Sequence, residues 1–309
     1  MDSRRPHIRR PAMTVARTVT NVPQQEPNVP RIGNWPMSIH PFDQLVQLDE
    51  TDIRLDCAAL QLARDAYPHL DVVGYCQQLD DIARTVADVR PGLSAPLRYE
   101  AMHEVLVGHY GFRGNRENYY SPDNSYLNRV VDARRGLPIT LSLLWIEVAR
   151  RLKWPVGGIG LPGHFVLRLD DPERFIVADP YHDGRSLSLD DCQQIVKRHS
   201  EGKAVFSNDL LKPIGTRAIL ARVLNNLRTV YQANGNLLRL RDVVQRCYAL
   251  APDDTALLFE LALIHQRLGD YDRARFLLSG CEGGVDDESE AAIVRNAQLR
   301  LTLFLGSEN

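Results

Sequence analysis

The segment GLPGHFVLRLDDPERFIVADPYHDG, from Gly160 to Gly184, decides the fold of this 309-residue chain. It contains two apolar runs separated by the turn-forming sequence LDDPER, a pattern that predicts a β-hairpin. His164 stands at the start of the first run, and Asp179 at the end of the second. Side chains alternate along a strand, so His164 is predicted on the face opposite Phe165 and Leu167. Cross-strand neighbours lie about 5 Å apart, and we therefore expect His164 to hydrogen-bond Asp179.

The surrounding sequence extends this hairpin into a larger unit. The preceding segment GLPITLSLLWIEVARRLKWP predicts a helix with Pro138 in its first turn, where the missing N–H costs no hydrogen bond. A further helix is predicted to begin near Ser188 and to close the unit. Three short strands are expected between these helices, over Val156–Leu161, His164–Leu169 and Phe175–Ala178.

Helical periodicity dominates on both sides of this unit. Three amphipathic helices are predicted between residues 47 and 110, so the fold class is α+β, with a mostly helical leader and a small antiparallel sheet. After a linker at residues 200–216 the pattern is purely helical over residues 217–309. Gly235 and Gly269 are 34 residues apart there, as are Leu240 and Ala274, and this period is typical of tetratricopeptide repeats. Residues 289–305 predict a capping helix.

The first 46 residues form a separate region by composition. Residues 1–40 contain six arginines, six prolines and only two acids, without apolar periodicity, which predicts a disordered basic tail over residues 1–46. Its arginines offer the one feature suited to nucleic acid or an acidic partner, although a solvated tail is the simpler expectation. Met1, Met13 and Met37 are all candidate start residues.

Composition excludes several classes of protein. The formal net charge is −2, so the part outside the basic tail is mildly acidic, which argues against a nucleic-acid platform. No apolar run reaches the roughly 18 residues that a membrane helix needs. The five cysteines form no CxxC pair, so neither a zinc site nor a disulfide framework is indicated. We expect a cytoplasmic protein with reduced thiols and no membrane association.

Three segments carry a resemblance to a known family. They are NSYLNRVVDARRGLPITLSLLWIEVARRL, GLPGHFVLRL and FIVADPYHDG. They resemble the bacterial invasion-regulator (SirB) family, whose core is transglutaminase-like and related to papain-like cysteine enzymes. The resemblance covers about residues 47–280. It implies a helical leader and transglutaminase-like core over residues 47–199, followed by tetratricopeptide repeats.

The resemblance also implies a triad from which one member is missing. Active members of the wider superfamily use a cysteine at the start of the core helix, a histidine and an aspartate. The histidine and aspartate roles fall on His164 and Asp179. The cysteine role falls on Pro138 or Ile139, neither of which can act as a nucleophile. The resemblance therefore indicates a site without its attacking thiol.

Two substitutes for the thiol remain open. Thr140 and Ser142 are the hydroxyl residues in the first turns of the predicted helix, and either would give an amide hydrolase or acyltransferase together with His164 and Asp179. A Ser or Thr in a first turn more often bonds to backbone groups. A metal site made of His164, Asp179, His182 and Asp183 is a weaker alternative, because DPYHDG is also a turn sequence. We predict no metal and no cofactor.

The sequence thus supports two hypotheses about function. The first is a non-catalytic regulatory protein that binds a protein or peptide through its repeats and keeps a vestigial pair at His164 and Asp179. The second is the hydrolase or acyltransferase that uses Thr140 or Ser142.

Overall fold

A computed structural model describes residues 40–89, 92–200 and 204–281, and the single positions 296, 297 and 299. The helices are α1 Pro41–Leu45, α2 Leu55–Ala63, α3 Val72–Asp88, α4 Ala95–Met102, α5 Leu127–Ala133, α6 Pro138–Arg151, α7 Leu189–His199, α8 Thr216–Ala233, α9 Leu237–Leu250, α10 Thr255–Arg267 and α11 Tyr271–Cys281. The strands are β1 Arg113–Gly114, β2 Arg135–Gly136, β3 Val156–Ile159, β4 Val166–Asp170, β5 Phe175–Asp179 and β6 Arg185–Leu187. A π-helical turn (His103–His109) extends α4, and short 3₁₀ turns occur at Pro122–Ser125, Pro180–His182 and Asn208–Leu211.

The main sheet is an antiparallel meander in the order β3-β4-β5-β6. The hairpin predicted from LDDPER is β4–β5, in which Leu167 pairs with Ala178. The sequence did not indicate β6, because it has only three residues and two of them are exposed. β4 begins at Val166, so the prediction that His164 opens this strand is wrong: His164 lies in the preceding turn.

The sheet separates two apolar clusters. Phe165, Leu167 and Leu169 pack into the large core that contains α6. Val166 points to the other face, where it joins a smaller cluster with Cys192 of α7. The alternation predicted from the sequence is therefore present, and it places α6 on one face of the sheet and α7 on the other.

Helix α6 lies at the centre of the large core. Residues 138–149 of this helix are all buried, because α2, α3, α5, α8 and the sheet surround it. Pro138 occupies the first turn as predicted. Buried apolar side chains on every side of α6 explain why its sequence is apolar beyond the single stripe that a surface helix would need.

Helices α8 to α11 form two antiparallel pairs at a constant offset. α8 ends at Ala233 and α10 ends at Arg267, 34 residues later, and α9 and α11 begin at the same spacing. Gly235 and Gly269, in the two connecting turns, have φ values of +69° and +80°. This left-handed conformation favours glycine, which explains why glycine recurs at the period of the helix pairs.

The helix pairs pack directly on the rest of the chain. A single continuous apolar core contains buried side chains from both parts of the chain, from Phe42 of α1 to Cys281 of α11. The Tyr231 hydroxyl of α8 lies 2.8 Å from the Tyr126 hydroxyl, beside α5. Arg246 of α9 forms ion pairs with Asp43 at 2.6 Å and with Asp65 at 3.0 Å.

These contacts correct the predicted extent of the tail. Residues 41–45 form α1 rather than disordered chain, and Phe42 is fully buried, because α1 packs against α2 and α9. The remainder of the predicted tail, residues 1–39, lies outside the described residues. Most of the predicted capping helix over residues 289–305 also lies outside them. Within the described part of the chain, no helix combines the length and apolarity needed to cross a bilayer.

Candidate functional site

Asp179, His164 and His182 form a hydrogen-bonded cluster at the end of β5, in which the His182 side chain is 42% exposed. The His164 Nε2 lies 2.9 Å from the Asp179 Oδ2, so the contact predicted between these two residues is present. The His182 Nδ1 lies 2.7 Å from the same carboxylate oxygen. Asp179 is fully buried and His164 nearly so. One carboxylate oxygen thus accepts hydrogen bonds from two imidazole rings.

The two imidazoles keep the Asp179 carboxylate charged. Burial by itself would raise the pKa of Asp179, because it disfavours the ionised form. The hydrogen bonds from His164 and His182, and the charges of these rings, outweigh burial and hold the pKa of that carboxyl well below its usual range. Asp179 is therefore an anion at any ordinary pH, and it fixes the orientation of both rings.

The role of His182 was not predicted from the sequence as part of this pair. DPYHDG does form a turn, and Asp179 caps it by accepting a hydrogen bond from the His182 backbone N–H at 3.3 Å. In a 3₁₀ turn the third residue after the cap lies over the cap residue, so the ring of His182 also reaches Asp179. The spacing Asp-x-x-His after an apolar strand was the available signal.

The turn before His164 shapes the other side of the cluster. Gly163 has φ of +64°, and a Cβ at this position would come within 2.6 Å of the His199 Cβ. Glycine therefore lets α7 approach closely. As a result the rings of His164 and His199 stack with centroids 6.1 Å apart and an interplanar angle of 7°. Tyr181 contacts His164 edge-on at 6.3 Å.

A cavity of about 210 Å³ opens beside these rings. His164 and His182 form one wall, and the opposite wall comes from β6 and α7. The residues that line it are His164, His182, Arg185, Asp191, Gln194, Ile195, Arg198 and His199. Sequence reasoning missed the contribution of β6 and α7, because their position follows from the packing of the sheet rather than from a local motif.

The first turns of α6 offer no free nucleophile. Pro138 and Ile139, to one of which the resemblance assigns the cysteine role, are buried and apolar. The Thr140 hydroxyl donates to the Asn124 carbonyl at 2.6 Å and accepts from the Leu137 N–H at 3.1 Å. The Ser142 hydroxyl is fully buried and faces the Phe165 carbonyl at 3.5 Å. Within the described residues, neither hydroxyl hydrogen-bonds to His164, so both serve the backbone.

The cluster has the donor types of a metal site. The ligand atoms of His164, Asp179 and His182 all lie within 4.8 Å of one another and could hold a cation. Both ring nitrogens, however, are at hydrogen-bonding distance from the same carboxylate oxygen rather than around a common empty point. Asp183, the fourth residue considered from the sequence, is turned away and pairs with Arg116 at 3.3 Å. The arrangement is best described as a hydrogen-bonded cluster.

A second group of polar side chains lies in the leader. The sulfur atoms of Cys57 on α2 and Cys76 on α3 are 3.8 Å apart, and Asp56 is adjacent. The hydrogen bond from Cys76 lowers the pKa of Cys57. The same contact and burial raise the pKa of Cys76. This pair was not predicted, because Cys57 and Cys76 are 19 residues apart in the sequence and lie on different helices.

We expect Cys57 to be the first cysteine alkylated by iodoacetamide at neutral pH, because the thiolate is the reactive form. Burial raises the pKa of Cys192 to about 11, of Cys247 to about 12 and of Cys281 to about 11, so these thiols should react last. Peptide mass spectrometry over a time course measures the order. Cys76→Ala should slow the reaction at Cys57, and earlier modification of Cys192 than of Cys57 would contradict this reading.

Comparison with protein families matches residues 74–225 to a model described as the transglutaminase-like superfamily. A UPF0162 protein of Xylella fastidiosa strain 9a5c is 34% identical over 238 residues, which cover 76% of this chain and 85% of that protein. A UPF0162 protein of Pseudomonas aeruginosa is 30% identical over 196 residues, covering 63% of this chain and 71% of that protein.

A more distant similarity extends to animals. Human F-box only protein 21 is 29% identical over 190 residues, which cover 58% of this chain and 29% of that protein. No solved structure matches the chain significantly. The transglutaminase-like resemblance noted in the sequence is confirmed by these similarities, and the matched residues 74–225 include α6, the sheet and the hydrogen-bonded cluster.

Proposed function

Since the chain belongs to the UPF0162 protein family and contains a transglutaminase-like domain, we propose that it is a non-catalytic member of that superfamily which regulates another protein by binding it. The main support for this proposal is the composition of the first turn of α6. The resemblance assigns the cysteine role of the superfamily's active members to Pro138 or Ile139, and both residues are buried in the core. Acyl transfer needs an attacking atom within reach of the base.

The hydrolase alternative would need Thr140 or Ser142 as the attacking atom. Thr140 is 1% exposed and Ser142 is fully buried, so a substrate carbonyl cannot approach either hydroxyl without unfolding the helix start. A hydroxyl also needs a base hydrogen-bonded to it, whereas within the described residues the hydroxyls of Thr140 and Ser142 bond to backbone carbonyls and neither bonds to His164. These two observations favour the non-catalytic role.

A fluorophosphonate probe tests this choice, because it labels activated hydroxyl groups covalently. We expect the intact mass of the full chain to stay unchanged under conditions that label a known serine hydrolase completely. His164→Ala should behave in the same way. A single adduct at Thr140 or Ser142 that disappears in His164→Ala would instead support the hydrolase.

The two helix pairs are the proposed binding module, and we assign them as tetratricopeptide repeats. Their 34-residue offset supports this assignment. Helix α10 packs against α9, and Arg228 of α8 pairs with Glu260 of α10 at 3.0 Å, so the second pair stacks on the first as in a repeat array. Such an array presents a surface suited to a helix or an extended peptide. Five unpaired thiols fit a reducing compartment such as the cytoplasm.

Overpacking the second pair tests the repeat assignment. Ala274 of α11 is fully buried, where a small residue lets α10 and α11 pack closely. We expect Ala274→Leu to lower the free energy of unfolding by about 1–3 kcal/mol and to reduce the amount of protein captured from native extract. The matched control is Arg275→Leu, because Arg275 is exposed on the same helix. Unchanged stability and unchanged capture in Ala274→Leu would count against the repeat assignment.

A further inference from the structure

The cavity beside His164 contains more hydrogen-bond donors than acceptors. Arg185 and Arg198 each bring five N–H donors and a permanent charge. Among the residues that the structure describes, neither guanidinium forms a hydrogen bond or an ion pair. The imidazoles of His164, His182 and His199 add further ring nitrogens to the same walls.

The nearby carboxylates do not use these donors. The Asp179 Oδ2 lies behind the rings of His164 and His182 and accepts from both. The Asp191 Oδ2 accepts from the Ser188 backbone N–H at 2.9 Å and from the Ser188 hydroxyl at 2.6 Å, as part of the cap of α7. Hydrogen bonds from Ser188, and then the charge of Arg185, lower the pKa of Asp191, but among the described residues neither guanidinium donates a hydrogen bond to a carboxylate.

Positive groups also crowd one another here. The pKa of His199 is lowered by burial first, and then by the neighbouring charges of His164, Arg198 and His182. An acceptor with negative charge placed among these groups would relieve that repulsion and would fill the unused donor positions.

We propose that this cavity binds a single oxyanion group, a carboxylate or a phosphate, held by Arg185 and Arg198 against the ring of His199. The size of the cavity supports a small group: about 210 Å³ is below the volume usual for whole-ligand pockets, so it suits a side-chain-sized anion. A metal ion is disfavoured by the positive charges of the two guanidinium groups in the cavity wall. The anion has two sources, a free small molecule or an acidic side chain of a protein partner.

The test is a titration of the full chain at low ionic strength, where charged contacts are least screened. Three probes distinguish the sources: inorganic phosphate, succinate, and N-acetyl-glutamic acid amide, which represents an acidic side chain. Binding is followed through the ring C–H resonances of the histidines, which localise it to the cavity, and through the melting temperature.

Matched variants distinguish binding at this cavity from non-specific attraction of anions to positive charge on the surface. Arg185→Gln and Arg198→Gln should each weaken the preferred probe about tenfold, as expected for the loss of a charge-assisted hydrogen bond. Lys197→Gln removes the same charge from the same exposed turn of α7 outside the cavity, and it should leave binding unchanged. Both arginines are exposed, so the variants should fold normally.

Each outcome of the titration either supports or contradicts the anion site. Saturable binding that depends on the two arginines supports the site, and the tightest probe identifies the source of the anion. Absence of saturable binding by all three probes would overturn the proposal, as would equal weakening in Lys197→Gln. None of these outcomes depends on labelling by the fluorophosphonate probe, so failure here is distinct from failure of the proposed function.

Discussion

Arg151→Ala should destabilise the protein by about 3–5 kcal/mol, because it leaves two buried carboxylates without their shared cation. Arg151, at the end of α6, pairs with the fully buried Asp56 and with Glu147 at 3.0 Å. It also reaches Asp80 of α3 at 2.7 Å. Burial and then the charge of Asp56 already raise the pKa of Glu147. Without the Arg151 guanidinium, the desolvation of Asp56 and of Glu147 would be less well compensated, and both carboxylates would destabilise the folded state more.

Urea unfolding at pH 7 measures the change, and the adjacent arginine provides the control. Among the residues that the structure describes, Arg150 forms its ion pair with Glu147 alone, at 3.1 Å, and its side chain is 38% exposed. Arg150→Ala should therefore cost at most about 1 kcal/mol. Arg151→Lys keeps the charge but loses the planar fork, and should fall between the two. Equal losses for Arg150→Ala and Arg151→Ala would show that Arg151 does not hold this network together.

Asp179→Ala should lower the free energy of unfolding by about 3 kcal/mol. The substitution leaves the buried His164 ring without its partner, and a lost partner costs about 1–3 kcal/mol. It also removes the cap of the 3₁₀ turn, worth about 1 kcal/mol. Asp179→Asn keeps an acceptor of the same shape without the charge and should lose less. Asp183→Asn is the control, since Asp183 lies on the surface and should have little effect.

The difference between the native chain and Asp179→Asn should depend on pH in a defined direction. The pKa of Asp179 is lower in the folded state than the value of about 3.9 in an unfolded chain. Its stabilisation is therefore fully present above about pH 5 and is lost as the pH falls through 3.9 toward the folded value. Unfolding curves at several pH values between 3 and 7 follow this loss. A difference that grows as the solution is acidified would contradict the assignment.

The contact between His164 and Asp179 could be predicted because it depends on local rules. The β4–β5 hairpin brings the turn that precedes β4 next to the end of β5, so His164 meets Asp179 although the strand begins two residues later than predicted. The period of 34 residues likewise located the paired helices, since glycine is favoured in both turns. These features follow from backbone geometry over short distances.

The rest depends on packing between distant segments. Arg185 and Arg198 meet across the cavity only because β6 and α7 fold back over the sheet. Cys57 and Cys76 come together because α2 packs on α3. Phe42 looked like part of a polar tail, and its burial depends on α9, about 200 residues away in sequence. No local pattern encodes such contacts.

The continuous core between the leader and the helix pairs has a consequence for how this chain can vary. Tyr126 and Tyr231 join the two parts, and so do the ion pairs of Arg246, so neither part can cover its apolar surface alone. The two parts should therefore unfold together as one cooperative unit. A destabilising change in the leader should then also reduce the population of chains in which α8–α11 are folded and able to make the proposed partner contact, although it touches no residue there.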